Sequence, residues 1–265
     1  LEITPQRATI KRSASRFLRF AAVFALLLGS IGLFGAQPAS AAGAQPWTLL
    51  IMGVNAPPDT AVDVGVRPIA LTVMHIDPAA GSCANLGISS DSLVELPGYG
   101  ETKIRHALMV GGIPFQQLVT ETYLGIDIDH YLLVDFTSFP GLIDAVGGIE
   151  VNISPGLTSP AIPNSGRQKI DGAQALAHAR YGGGGDFVRI QRQQELIDGI
   201  IGAMAGLDFL TKANSVTKTV EQHLRTDLGL QELAAAGKYF NDHCANGAMR
   251  MDTIPGEIVY GPIVD

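Results

Sequence analysis

Ala177-His178-Ala179-Arg180-Tyr181-Gly182-Gly183-Gly184-Gly185-Asp186-Phe187-Val188-Arg189-Ile190-Gln191-Arg192-Gln193-Gln194 sets three arginines and four consecutive glycines between two helical patterns. Upstream, Asp171-Gly172-Ala173-Gln174 has the form of a capping box and predicts a helix ending near Arg180. Downstream, Ile190, Leu196, Ile197, Ile200, Ile201 and Met204 recur at helical spacing and predict a long helix from Phe187 to Leu207. On that helix Arg189, Arg192 and Gln193 lie three and four apart and share a face. Arg180 closes the preceding helix and is expected to point across the Gly-rich turn toward it. Guanidinium groups stay charged and fork onto phosphate oxygens. The block therefore suits a multiply charged anion, a phosphate or pyrophosphate. The plainer alternative is a solvated helix start with Arg–Asp pairs. The glycines either let the main chain approach a phosphate or form a length-tolerant loop. No G-x-x-x-x-G-K-[ST] pattern is present, so a nucleotide P-loop is not indicated.

Outward from this block, β-type patterns alternate with helical ones. Pro46–Val54 reads as a buried strand, Ile69–Ile76 as a second and Cys83–Ile88 as a third. Pro114–Leu124 reads as a helix with proline in its first turn. His130–Phe136 is a strand, Phe139–Val146 a short helix and Ile149–Ile153 a strand. Residues 154–168 are expected to be a long surface loop. Helices are expected over about 211–223 and 229–241, and a last strand over Arg250–Ile254. This alternation predicts an α/β fold, a three-layer α-β-α sandwich around a mixed central sheet.

Charge divides the chain unevenly. Residues 1–41 carry five Lys/Arg and one acid, and the remainder carries 13 basic and 24 acidic residues. A body that acidic repels nucleic acid, so nucleic-acid binding is excluded as a function class. Lys11, Arg12, Arg16 and Arg19 precede the apolar stretch Phe20–Ala36, and Ala39-Ser40-Ala41 has the small-x-small form of a signal-peptidase site. Residues 1–41 are therefore expected to be a signal peptide, cleaved near Ala42, or a retained signal-anchor. Residues 42–265 are expected to be one domain working outside the cytoplasm. In an oxidising compartment Cys83 and Cys244 form either one disulfide or two buried thiols.

Three blocks give the chain a resemblance to a known family. The first is Leu96-Pro97-Gly98-Tyr99-Gly100-Glu101-Thr102-Lys103-Ile104 with His106-Ala107 and Gly111-Gly112. The second runs from Ile126-Asp127-Ile128-Asp129-His130-Tyr131 through Val134-Asp135-Phe136 to Asp144-Ala145-Val146-Gly147-Gly148-Ile149. The third is Ile170-Asp171-Gly172-Ala173-Gln174-Ala175-Leu176-Ala177, leading into the arginine block. In this order and spacing, from about Leu49 to Gly256, the chain resembles the LytR-CpsA-Psr (LCP) family. The resemblance implies transfer of a glycopolymer from a polyprenyl-pyrophosphate carrier to peptidoglycan, at the outer surface of the cytoplasmic membrane or in the cell-wall space. It further implies an apolar tunnel for the prenyl chain between sheet and helices, arginines on the pyrophosphate, and acidic residues placing a magnesium ion beside it.

The same resemblance assigns residues. Arg180, Arg189, Arg192 and Gln193 match the pyrophosphate-binding pattern, and Lys103 extends the cradle or belongs to a solvated loop. Asp91 and Arg180 are the candidates for the chemistry, Asp91 standing beside the metal or pairing with Arg180 or Arg189. Departures fall in the metal half of the pattern. Asn55 stands where the family has Asp, Ile69 where it has a metal-binding Asp, and Ser90 where it has an arginine. Gly182 stands where a second close arginine is common. Magnesium takes near-octahedral oxygen ligands with at least one or two carboxylates, so only Asp91, Asp59 and Asp63 remain as candidate ligands. Two function classes result: an LCP-type phosphotransferase, or a catalytically weakened module that binds a lipid-linked (pyro)phosphate without transferring it. His130 and His178 are expected to be structural, His178 by surface packing.

Overall fold

The computed structural model describes residues 45–55, 65–137, 139–206, 224–244 and 249–256. The expected signal segment, the helix over about 211–223, and Asp59 and Asp63 lie outside these residues. At the centre is a six-stranded mixed sheet. It is built from β1 (Trp47–Val54), β2 (Pro68–Asp77), β3 (Ser82–Ile88), β6 (His130–Asp135), β9 (Leu224–Thr226) and β10 (Arg250–Thr253), in the order β10-β3-β2-β1-β6-β9. β1 pairs antiparallel with β2 and parallel with β6. Seven of the eight β1 residues are buried because both sheet faces are covered, which is why the strand reads as an unbroken apolar run.

The period of two along β1 divides its side chains between two cores. Leu50, Met52 and Val54 join Leu71, Val73 and Leu133 on one face, under α1 (His106–Leu124). Leu49 and Ile51 join Met74, Ile76 and Phe240 on the other, under α4 (Asp186–Gly206) and α5 (Leu230–His243). These layers are the sandwich that the alternating patterns predict. A third cluster lies between α2 (Phe139–Ala145), α3 (Gly172–Arg180), α4 and the two-stranded ribbon β7–β8 (Ile149–Ile153, Gly166–Ile170), with Phe136, Ile143, Val151, Ile170 and Leu196 at its centre.

Several boundaries differ from the expectation. The helix expected from Pro114 begins at His106, eight residues earlier, and Gly112 breaks it at φ 68, ψ −165. That conformation suits glycine, and it leaves Pro114 in the first turn of the second segment. Gln116, fully buried, accepts from the Leu108 main-chain N–H at 3.1 Å and so ties the two segments together. The hairpin β4–β5 (Leu93–Leu96, Gly100–Lys103) and the three-residue β9 are too short to give a period-two signal. The expected surface loop 154–168 is partly wrong: Ser159 and Ile162 are buried, and its end is the start of β8.

α4 is pinned to the sheet by polar as well as apolar contacts. Gln194 Nε2 donates to the main-chain oxygens of Asn85 (3.1 Å) on β3 and Asp252 (2.8 Å) on β10. A Cβ on Gly87 would overlap Ile190, so α4 crosses β3 where only glycine lets it come this close. Cys83 on β3 and Cys244 at the end of α5 are disulfide-bonded, Cα to Cα 5.6 Å. The bond spans a sequence separation of 161 and fastens α5 over the sheet. In the chain-entropy model a closure that long contributes roughly 3–5 kcal/mol. Replacing both cysteines by Ala should lower the melting temperature by about 10 °C or more, read by calorimetry. An unchanged melting temperature would show that α5 is held by its packing alone.

Candidate functional site

The expected site residues come from four places in the fold. Asn55 follows β1, Ser89, Ser90 and Asp91 follow β3, Arg180 ends α3, and Asp186 and Arg189 start α4. α3 ends where it does because Asp171 and Gln174 form a reciprocal capping box at its start and Tyr181 turns extended at its end (φ −65, ψ 116). The exposed Arg180 therefore stands at the last turn of α3 and donates from Nη2 to Asn55 Oδ1. Arg189 donates to Asp186, whose other oxygen accepts from the Ser89 hydroxyl. The Arg189 Nε is buried and without a hydrogen-bond partner. Arg180, exposed, thus keeps donors for an anion, while Arg189 is paired with Asp186 and its Nε is closed off from solvent.

Arg192 is placed differently from the expectation. It is 2% exposed. Its guanidinium donates to four main-chain oxygens: Nε to Leu157 (2.7 Å), Nη1 to Tyr181 (3.1 Å) and Gly183 (2.7 Å), and Nη2 to Thr158 (3.1 Å). A guanidinium has five N–H donors, so little is left for a phosphate. Gln193 donates to the Ala179 carbonyl at 3.1 Å. The two residues hold the α3–α4 turn in shape. Burial lowers the pKa of Arg192, against the attraction of Tyr181 and Glu195.

Asp91 pairs with neither Arg180 nor Arg189. Arg105 Nη1 lies 2.7 Å from its carboxylate and Lys103 Nζ 3.9 Å, with the Asp91 side chain 52% exposed. Lys103 and Arg105 are brought there by the β4–β5 hairpin and the start of α1, so their charge faces Asp91. The implied magnesium does not fit the residues described. Asn55 Oδ1 already accepts from a cation, and Ile69 packs against the apolar cluster around Phe136. Among the described residues no group of three or more His, Cys, Asp or Glu is placed to hold a metal ion.

Behind the arginines lies an apolar cavity of about 140 Å³ between the sheet and α4–α5. Leu49, Ile51, Met74, Leu132, Ile197 and Phe240 line it. Its wall includes Gly53, Ala179, Ile190 and Gln193, each within two residues of Asn55, Arg180 or Arg189 or one helical turn away. The cavity wall is therefore built from the same chain segments that carry Asn55, Arg180 and Arg189.

Sequence reasoning missed the two groups that support this turn. His178, expected at the surface, is fully buried, with Nδ1 2.8 Å from the Ser159 hydroxyl. Burial, with the charge of Arg192 adding to it, pushes its pKa down to about 4. Glu195 is buried beside Ser154, whose N–H it accepts at 2.9 Å, and burial pushes its pKa up. Helical spacing gives no inward signal for Glu195, since the residues three and four further on are Asp198 and Gly199. Only the folded loop 154–162 could have shown what meets His178. His130 does have a structural role, 3.1 Å from Asp227.

The chain matches the LytR_cpsA_psr family over residues 35–263. It belongs to the LytR-CpsA-Psr family. TagU of Enterococcus faecalis, a polyisoprenyl-teichoic acid–peptidoglycan teichoic acid transferase, is 27% identical over 217 residues, 80% of this chain and 71% of the relative. TagU of Halalkalibacterium halodurans is 33% identical over 197 residues, 70% of this chain but 62% of that relative. Among solved structures, Bacillus subtilis TagV superposes with a TM-score of 0.67 at 27% identity, covering 82% of this chain and 88% of that one. TagT bound to LIIa-WTA shares the fold at a TM-score of 0.65 and 22% identity, over 80% and 79% of the two chains. The LCP family assignment made from the three sequence blocks is thus established, with its mixed α/β sandwich.

Two outcomes distinguish the exposed Arg180 from the buried Arg192. Arg180→Ala should leave the melting temperature unchanged and weaken pyrophosphate binding by about 1.5–3 kcal/mol, measured by calorimetric titration. Arg192→Ala should instead cost at least about 3 kcal/mol of unfolding free energy, because four carbonyls lose their donor. His178 supplies a third. It stays neutral in the native state, while the unfolded chain takes up its proton near the ordinary value of about 6.5. Stability from this group is therefore present above that value and lost as pH falls toward about 4. Urea midpoints should show a loss of about 2 kcal/mol between pH 7 and pH 5 that His178→Asn removes. An equally steep profile in the variant would assign the loss to another group.

Proposed function

We propose that this LCP protein receives a glycopolymer on a polyprenyl-pyrophosphate carrier and transfers it to peptidoglycan, as its TagU relatives are named for doing with teichoic acid. The observation that carries the proposal is an apolar cavity whose wall is built from the chain segments that carry Arg180 and Arg189. A prenyl chain in the cavity sets its pyrophosphate beside the two guanidinium groups, where charge developing on phosphate oxygens is neutralised. The acceptor hydroxyl oxygen bonds to the phosphorus that carries the polymer, the bond from that phosphorus to the bridging oxygen breaks, and polyprenyl phosphate leaves. The hydroxyl proton passes to solvent. Asp91 remains the proposed carboxylate for the chemistry, near Lys103 rather than next to Arg180. The work takes place at the membrane surface outside the cytoplasm, after export directed by residues 1–41. Among the described residues no helix is long and apolar enough to cross a membrane.

Asn55, Ile69 and Ser90 favour a second reading, a module that binds the carrier without transferring its polymer. Binding of a polyprenyl pyrophosphate with and without magnesium, beside a transfer assay on purified peptidoglycan, tests both. Binding insensitive to magnesium together with transfer supports the transferase. Binding without transfer supports the weakened module. Strong magnesium dependence would show that Asp59, Asp63 or Asp91 supplies ligands. Asn55→Asp with Ile69→Asp should create magnesium dependence, since a lone carboxylate in a half-buried cleft can instead take up a proton.

A further inference from the structure

We infer that Tyr181 is a positioning residue on which the first sugar of the carrier-linked polymer stacks; this rests on the function proposed above. Tyr181 is 38% exposed, yet its ring is held from several sides. The Arg192 guanidinium carbon lies 4.8 Å from the ring centroid. The ring edge lies over Gly183, where a Cβ would come within 2.5 Å of the Tyr181 hydroxyl and 2.6 Å of Cε1, so no larger residue fits beneath the ring as it stands. Its main chain is fixed as well. The N–H donates to the His178 carbonyl at 3.2 Å, and the carbonyl accepts from Arg192 at 3.1 Å.

An exposed aromatic side chain ordinarily gains little from such support, because ordering it costs rotamer entropy and buries little area. Here the buried Arg192 covers one ring face, and the residue as a whole is still 38% exposed. A ring fixed in this way is preorganised as a platform, and its negatively polarised face attracts the C–H bonds of a saccharide. The location selects the occupant. Tyr181 directly follows Arg180, and neighbouring Cα atoms are about 3.8 Å apart. A sugar bonded to a phosphate held by Arg180 is carried into the same neighbourhood. A second prenyl segment is a poorer fit, because the apolar cavity is lined by Ala179 and Ile190 and not by Tyr181.

The experiment compares two probes, farnesyl pyrophosphate and its conjugate bearing one glucose on the terminal phosphate, by calorimetric titration of the full chain. The wild type should bind the conjugate about 2- to 10-fold more tightly, the range of an aromatic contact. Tyr181→Ala and Tyr181→Leu should lose that preference and keep farnesyl pyrophosphate affinity within about twofold of wild type; Tyr181→Trp should retain it. Gly183→Ala, which displaces the ring without removing it, should reduce the preference. The leucine variant keeps an apolar body over Arg192, so loss of preference with unchanged melting temperature cannot come from a collapsed turn. Equal binding of the two probes by the wild type, or a preference that survives in Tyr181→Leu, overturns the inference and leaves carrier binding intact. Failure of the wild type to bind farnesyl pyrophosphate overturns carrier binding itself, and the inference with it.

Discussion

Four main-chain oxygens from two loops converge on the buried guanidinium of Arg192. Two belong to the segment after β7, Leu157 and Thr158, and two to the turn between α3 and α4, Tyr181 and Gly183. Neither loop has a ladder of its own at these atoms, so each would lose a partner at part-buried acceptors without the arginine. The geometry of the candidate site follows from this clamp. It fixes the end of α3, hence Arg180; it fixes the glycine turn, hence the entry angle of α4 and the position of Arg189. It also requires His178 beside it to stay neutral, and burial ensures that it does. A lysine would reach one or two of the four oxygens, since it lacks the planar fork.

The apolar half of the site depends on a different constraint. A cavity behind a charged mouth survives only if the helices above the sheet cannot settle into it. α4 is stopped by its crossing over Gly87 and by Gln194, whose amide reaches both β3 and β10. α5 is stopped by the disulfide from Cys244 to Cys83 and by Phe240, which is buried against the same sheet face. Between these two anchors the layer spans the sheet without filling the space above Leu49, Ile51 and Leu132. Interior packing is ordinarily dense, and a void this size loses dispersion contacts along its whole lining. Its retention beside two arginines accords with a role in holding an apolar ligand.

The fold was largely legible in the sequence, and the reasons are local. β1 is buried on both sides and reads as an unbroken apolar run; α4 carries a helical stripe; the capping box at Asp171 marks a helix start without reference to anything distant. The misses lie where short-range signals are weak or where the deciding partner is far along the chain. β9 is paired by three residues, and β8 owes its position to β7 rather than to its own pattern. In the arginine block, helical spacing put Arg189, Arg192 and Gln193 on one face but could not say that Arg189 meets Asp186 while Arg192 and Gln193 meet main-chain carbonyls. For Arg192, those of Leu157 and Thr158 lie about 35 residues upstream. Asp91 was open to the same error, because the hairpin that brings Arg105 and Lys103 to it gives little periodic signal of its own.

The exchange of carboxylate for amide at position 55 changes more than a ligand count. With an aspartate there, Arg180 would sit in an ion pair, and its charge would be spent partly within the protein. A metal cation would then restore the positive potential that a pyrophosphate needs. With Asn55, Arg180 makes a hydrogen bond to a neutral oxygen and keeps its full charge toward the open side. Ile69 completes the change, since its side chain joins the cluster that contains Phe136 and Ala70. A divalent cation in such surroundings would meet one amide oxygen already in use, one hydrocarbon and a neighbouring guanidinium, and it would be desolvated with little in return. The charge of Arg180 stays at this point whether or not a cation binds beside it.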